Sequence, residues 1–314
     1  MSPPTLNHVT CPDSAGSHRM AYWLWGPEDA AHVVVCVHGL SRQGRDFDTL
    51  AQALLDRSRA PLRIACPDVV GRGRSDWLAE PMGYGVPTYV SDMLQMLEQL
   101  RSAAAIQTLD WVGTSMGGLI GMAICGAPGL PLPVPVRRLV LNDVGPVIQW
   151  QALERIGTYL GRAGKFETVQ QAADAMWQVS QGFGPHTPEQ WLALSQPMVR
   201  PVQAGGFVLH YDPAIAVPFR TLDEAAATAG QATLWQLYDA TRARTLLLRG
   251  VQSDLLGAET AREMTRRGPR ATLVEFEGVG HAPTLVPDDQ VEAVASFLLQ
   301  TEPVPDEEPR SGTG

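Results

Sequence analysis

The stretch Trp111-Val112-Gly113-Thr114-Ser115-Met116-Gly117-Gly118 restricts the possible folds more than any other part of this chain. An apolar strand runs into a Gly-x-Ser-x-Gly turn, and a helix-compatible run, Gly118 to Ala127, follows at once. Such a turn holds its serine in a strained backbone conformation. The residues two before and two after it press against neighbouring backbone and leave no room for a Cβ. Ser115 is the candidate nucleophile, and the rest of the chain is expected to supply a sheet that carries it.

The periodicities supply that sheet. Val33-Val34-Val35-Cys36-Val37 is a continuous β-branched run, the pattern of a strand covered on both faces, and Leu62 to Cys66 repeats it. Between them Phe47, Leu50, Ala51, Leu54 and Leu55 fall on one helical face within Asp46 to Arg57, so strand, helix and strand imply a parallel pair. Further strands are expected at Leu109–Val112, Val136–Asn142, Arg244–Arg249 and Ala271–Phe276, with an earlier antiparallel one at His18–Trp25. Helices are expected over Tyr89–Leu100 and Pro287–Leu299.

Between the strands ending near Asn142 and beginning near Arg244, helical periodicity appears at Gln149–Leu160, Thr168–Val179, Pro188–Met198 and Leu222–Tyr238. This segment holds Trp150, Trp177, Trp191 and Trp235, four of the chain's eight tryptophans, and reads as a helical cap over the carboxyl ends of the parallel strands. The organisation expected is therefore a core over 1–145 and 241–300, a cap over 146–240 and a disordered, Pro- and Glu-rich tail over 301–314.

Charge and cysteine usage exclude some functions. A net charge of −9 lacks the basic face that nucleic acid requires. No apolar run reaches 18 residues and no leader pattern opens the chain, so no membrane partner is expected and a cytoplasmic location is. Cys11, Cys36, Cys66 and Cys125 lack metal-ligand spacing and read as reduced residues. The glycines of Gly71-Arg72-Gly73 follow a Pro-Asp turn without opening a helix, which argues against a dinucleotide loop.

Taken together, His38-Gly39, Pro67-Asp68 with Gly71-Arg72-Gly73-Arg74-Ser75-Asp76, Gly113 to Gly118, Arg249-Gly250 with Asp254, and Gly280-His281 resemble the α/β-hydrolase superfamily, in its capped branch of esterases, C–C bond hydrolases, lactonases and haloperoxidases. The likeness spans about residues 20 to 300. It implies an eight-stranded, mostly parallel sheet with helices on both faces, a cap after the sixth strand, and no metal or organic cofactor. In the superfamily's chain order acid and base follow the serine, leaving His186, His210 and His281 as possible bases. His281 follows the last strand directly, whereas the other two fall inside the cap.

Asp254, just past the strand Leu246–Leu248, is the expected orienting acid; Asp143, also at a strand end, competes but is read as a cap for the following helix. The expected triad is thus Ser115, Asp254 and His281. The oxyanion donors expected are the N–H groups of Met116 and Leu40. His38, Trp150, Trp177 and Trp235 are candidates for the substrate pocket, His38 more as a support for its loop.

A serine at this turn excludes the aspartyl chemistry of epoxide hydrolases and haloalkane dehalogenases. Leu40-Ser41-Arg42-Gln43-Gly44 departs from the Gly-Pro-Gly stretch of meta-cleavage C–C hydrolases. The expected activity is hydrolysis of small-molecule carboxylic esters with apolar or aromatic acyl groups. C–C hydrolysis, lactone hydrolysis and cofactor-free perhydrolysis are the enzymatic alternatives, and a ligand receptor on the same scaffold is the non-enzymatic one. Oligomeric state is left open.

Overall fold

The computed structural model describes residues 3–162 and 164–300. Six strands come first: β1 (Thr5–Asp13), β2 (Gly16–Trp25), β3 (His32–Val37), β4 (Leu62–Asp68), β5 (Thr108–Thr114) and β6 (Val136–Asn142). With β10 (Arg244–Gly250) and β11 (Thr272–Phe276) they form one sheet in the order β1-β2-β4-β3-β5-β6-β10-β11. Only the pairs β1–β2 and β2–β4 are antiparallel. The expected eight-stranded sheet is present, including β1, for which the sequence reading had no strand.

Helices cover both faces. α1 (Asp48–Arg57) and α10 (Asp288–Leu299) lie on one, α2 (Val86–Ala103) and α3 (Met116–Gly126) on the other. The β-branched run of β3 explains itself here, because Val33, Val35 and Val37 join the core with Met93 and Ile120, while Val34 and Cys36 join that with Leu50 and Val294. Alternate residues point to opposite faces, and both faces are dry.

The segment between β6 and β10 carries α4 (Trp150–Tyr159), α5 (Val169–Ser180), α6 (Pro188–Ser195), α7 (Ala216–Arg220) and α8 (Glu224–Ala240). It is not purely helical. Three short strands, β7 (Lys165–Phe166), β8 (Val199–Pro201) and β9 (Phe207–Leu209), form a small antiparallel sheet there. α9 (Ala258–Met264) then separates β10 from β11. Residues 301–314, read above as a tail, lie outside the described residues. Among those described, no helix is long and apolar enough to cross a membrane.

β1 is pinned to the body by a buried ion cluster. His18 on β2 meets Asp13 through Nδ1 at 2.9 Å and Asp92 of α2 through Nε2 at 3.1 Å. Burial pulls the imidazole pKa down, but the hydrogen bonds and charges of Asp92 and Asp13 outweigh it, and the net shift is upward. A base whose folded pKa is raised stabilises the fold fully below its unfolded value of about 6.5 and loses that contribution as pH rises through the folded value. Urea unfolding of wild type and His18→Gln is therefore expected to differ most at pH 6 and progressively less at higher pH. A pH-independent difference would contradict the charged imidazole.

Candidate active site

The sharp turn is built as its glycines require. Ser115 follows β5 and precedes α3 with φ 51° and ψ −114°, a positive φ that disfavours a side chain. A Cβ on Gly117 would overlap the Val37 carbonyl, and one on Gly113 would overlap the Gly117 carbonyl. The Ser115 N–H donates to the Asn142 carbonyl of β6 at 2.9 Å, so the neighbouring strand braces the turn.

His281 lies in the loop after β11 with its Nε2 3.0 Å from Ser115 Oγ and its Nδ1 2.7 Å from Asp143 Oδ2. The carboxylate fixes the tautomer: Nδ1–H donates to Asp143, leaving Nε2 to accept the serine proton. The expected serine and histidine are brought together.

The expected acid is not. Asp254 is roughly half exposed and forms a two-pronged ion pair with Arg155 of α4, at 2.6 and 2.9 Å. Asp143, immediately after β6, turns back at φ 55° and is fully buried. Its Oδ1 accepts the Gly250 N–H at 3.0 Å, and its Oδ2 accepts the Ser253 hydroxyl at 2.6 Å beside the imidazole. The end of β10 and the loop after it thus furnish the donors that hold Asp143, while that loop sends its own Asp254 outward. Three hydrogen bonds to one carboxylate exceed what an N-terminal cap requires, and Asp143 caps no helix, since α4 starts after Gln149.

The proposed oxyanion donors flank the nucleophile. Met116 opens α3, where first-turn N–H groups have no carbonyl partner inside the helix. The loop of Leu40 adjoins Ser115, since a Cβ on Gly39 would stand 3.7 Å from the Ser115 Cβ. His38 does not enter the pocket. It is fully buried, donates from Nδ1 to the Gly39 carbonyl at 2.7 Å and accepts the Val69 N–H at Nε2 at 2.9 Å. Burial drives its pKa down to about 3, so it stays a neutral brace for the loop.

Sequence reading passed over Arg72. Its buried guanidinium donates to the Leu40 carbonyl at 2.8 Å, the Val70 carbonyl at 2.7 Å and Tyr89 Oη at 3.0 Å, and lies 3.6 Å from Met116 Sδ. Among the described residues no carboxylate pairs with it. A buried positive charge is thereby held against the two residues expected to donate to the oxyanion, where low dielectric lengthens its reach. Its position in Gly71-Arg72-Gly73 was the available signal.

Two cavities meet at Ser115 and share Leu40 and Ile156. One, of about 300 Å³, includes His281, Arg42, Arg155, Arg162 and Phe183. The other, of about 430 Å³, includes Met116, Tyr89, Leu119, Ile148, Phe219 and Leu234. Trp150, Trp177 and Trp235 line neither. Trp177 packs edge-on against Trp191 and His186, and Trp235 lies under Arg267 and against Tyr238. These rings serve packing, which helical spacing alone does not distinguish from pocket lining. The insertion also reaches the base's loop, where Gly280 N–H donates to the Gly182 carbonyl at 2.6 Å.

Comparison with known proteins agrees with this fold. A family model described as the alpha/beta hydrolase family matches residues 34–295. A 3-hydroxybutyrate-oligomer hydrolase from Cupriavidus necator is 48% identical over 298 residues, covering 94% of this chain and 98% of that protein. An alpha/beta hydrolase structure from Novosphingobium aromaticivorans superposes with a TM-score of 0.76 at 32% identity, covering 95% of this chain and 99% of that one. A crystal structure from Rickettsia typhi gives a TM-score of 0.81 at 26% identity, over 95% of this chain and 100% of the other.

Proposed function

Because the chain belongs to the alpha/beta hydrolase family and is a carboxylic ester hydrolase, we propose that it cleaves the ester bonds of short 3-hydroxybutyrate oligomers, with Ser115, His281 and Asp143 as nucleophile, base and orienting acid. The observation that carries the mechanism is the imidazole placed between Ser115 Oγ and Asp143 Oδ2 at hydrogen-bond distance from both. The near full-length similarity to an oligomer hydrolase supports the substrate class.

As Ser115 Oγ bonds to the ester carbonyl carbon, its proton passes to His281 Nε2, and the carbonyl electrons move onto an oxygen facing the N–H groups of Leu40 and Met116. The C–O bond then breaks and the imidazolium returns the proton to the leaving alkoxide, releasing a hydroxy acid. Water, losing a proton to His281, attacks the acyl-serine. The second acid departs and the proton restores Ser115. The buried Asp143 carboxylate stabilises the imidazolium present at each stage.

We read residues 146–240 as a cap roofing the two cavities, and four unpaired cysteines support a cytoplasmic setting. The test is incubation with defined 3-hydroxybutyrate trimer, following products by liquid chromatography beside p-nitrophenyl butyrate as a reference ester. Dimer and monomer are expected. An enzyme that hydrolyses the reference ester but leaves the trimer intact overturns the substrate assignment.

A further inference from the structure

The two cavities differ in chemistry. Three arginines, Arg42, Arg155 and Arg162, border the His281 side, and among the described residues no acid borders it. Among the described residues, no charged one borders the Met116 side. The reaction decides which half of an ester goes where. The leaving oxygen must be reached by His281 Nε2 while the carbonyl oxygen faces the Leu40 and Met116 N–H groups, so the alcohol half occupies the arginine-lined cavity and the acyl half the apolar one.

The arginines are not equivalent. Arg42 is satisfied by Asp46 at 2.6 and 2.7 Å, and Arg155 by Asp254. Arg162, just beyond α4, has no acidic partner among the described residues. One uncompensated positive charge therefore stands at the cavity that receives the leaving group. The ester of a 3-hydroxybutyrate oligomer nearest its carboxyl end has a leaving group of matching charge, a hydroxy acid whose carboxylate stays ionised at neutral pH.

We propose that the His281-side cavity is a subsite for a leaving alcohol that bears a carboxylate, with Arg162 as the residue that binds it, so that oligomers are cut from the carboxyl end with release of one hydroxy acid per turnover. The oligomer direction rests on the function proposed above; the subsite itself does not. The guanidinium presents paired donors to a carboxylate, a match that a neutral ester end cannot make.

Two substrate pairs test this. The first is 3-hydroxybutyrate dimer as free acid and as methyl ester; the second is 4-butanoyloxybenzoate and its methyl ester, whose leaving phenols differ in the same charge. Wild type is expected to favour the free acid in both pairs by about tenfold or more in kcat/KM, through KM. Arg162→Gln should bring both ratios near one, and Arg162→Lys should restore part of the preference. A wild-type ratio near one with the benzoate pair, or a ratio unaltered by Arg162→Gln, overturns the subsite. Turnover of the benzoate pair with neither dimer cleaved rejects the oligomer reading and leaves the benzoate ratio to judge the subsite.

Discussion

Asp143→Asn is expected to lower kcat for p-nitrophenyl butyrate by about 10⁴-fold with the fold intact, the scale at which a wrong imidazole tautomer disables such a triad. The local hydrogen bonds set the direction. Gly250 N–H donates to Oδ1, so the asparagine oxygen stays there and its NH₂ takes the place of Oδ2, facing His281. Nδ1 must then accept, the proton moves to Nε2, and Ser115 loses its base. Asp254→Asn removes an exposed ion pair, worth about 0–1 kcal/mol, and is expected to keep kcat within about fivefold of wild type. A large loss from Asp254→Asn with little from Asp143→Asn would reverse the assignment.

Ser115→Ala and Ser115→Gly should each reduce kcat by about 10⁶-fold, because the acyl-enzyme has no other oxygen on which to form. They are expected to separate in stability. The backbone at 115 has φ 51°, which alanine tolerates poorly and glycine readily. Ser115→Gly should therefore be more stable than Ser115→Ala by about 1 kcal/mol, measured by denaturant unfolding. Equal stability would mean that the turn carries no strain, and residual kcat near wild type in either variant would remove Ser115 from the chemistry.

Much of the fold was legible because local pattern and tertiary role coincide. The β3 run, the β6 strand and the helix Asp48–Arg57 each show in sequence the burial they have in the structure. The pairing of Ser115 with His281 was legible for a related reason, since one follows β5 and the other lies in the loop after β11. The acid was not, because Asp143 and Asp254 both follow strands that end at the same edge. Choosing between them depends on a positive φ and on donors from Gly250 and Ser253, which no spacing encodes. The strands of the insertion escaped notice because two or three residues are too few to display a period of two. Arg72 escaped because its partners, Leu40 and Met116, lie on a different loop and at the start of α3, far from it in sequence.

β6 and β10 pair in register, Asn142 beside Leu248, and Ser253 beyond β10 touches the same carboxylate oxygen as the imidazole. Two stretches of chain about a hundred residues apart therefore serve a single electrostatic post. A side chain beyond β10 therefore reaches the same point in space as the carboxylate that follows β6.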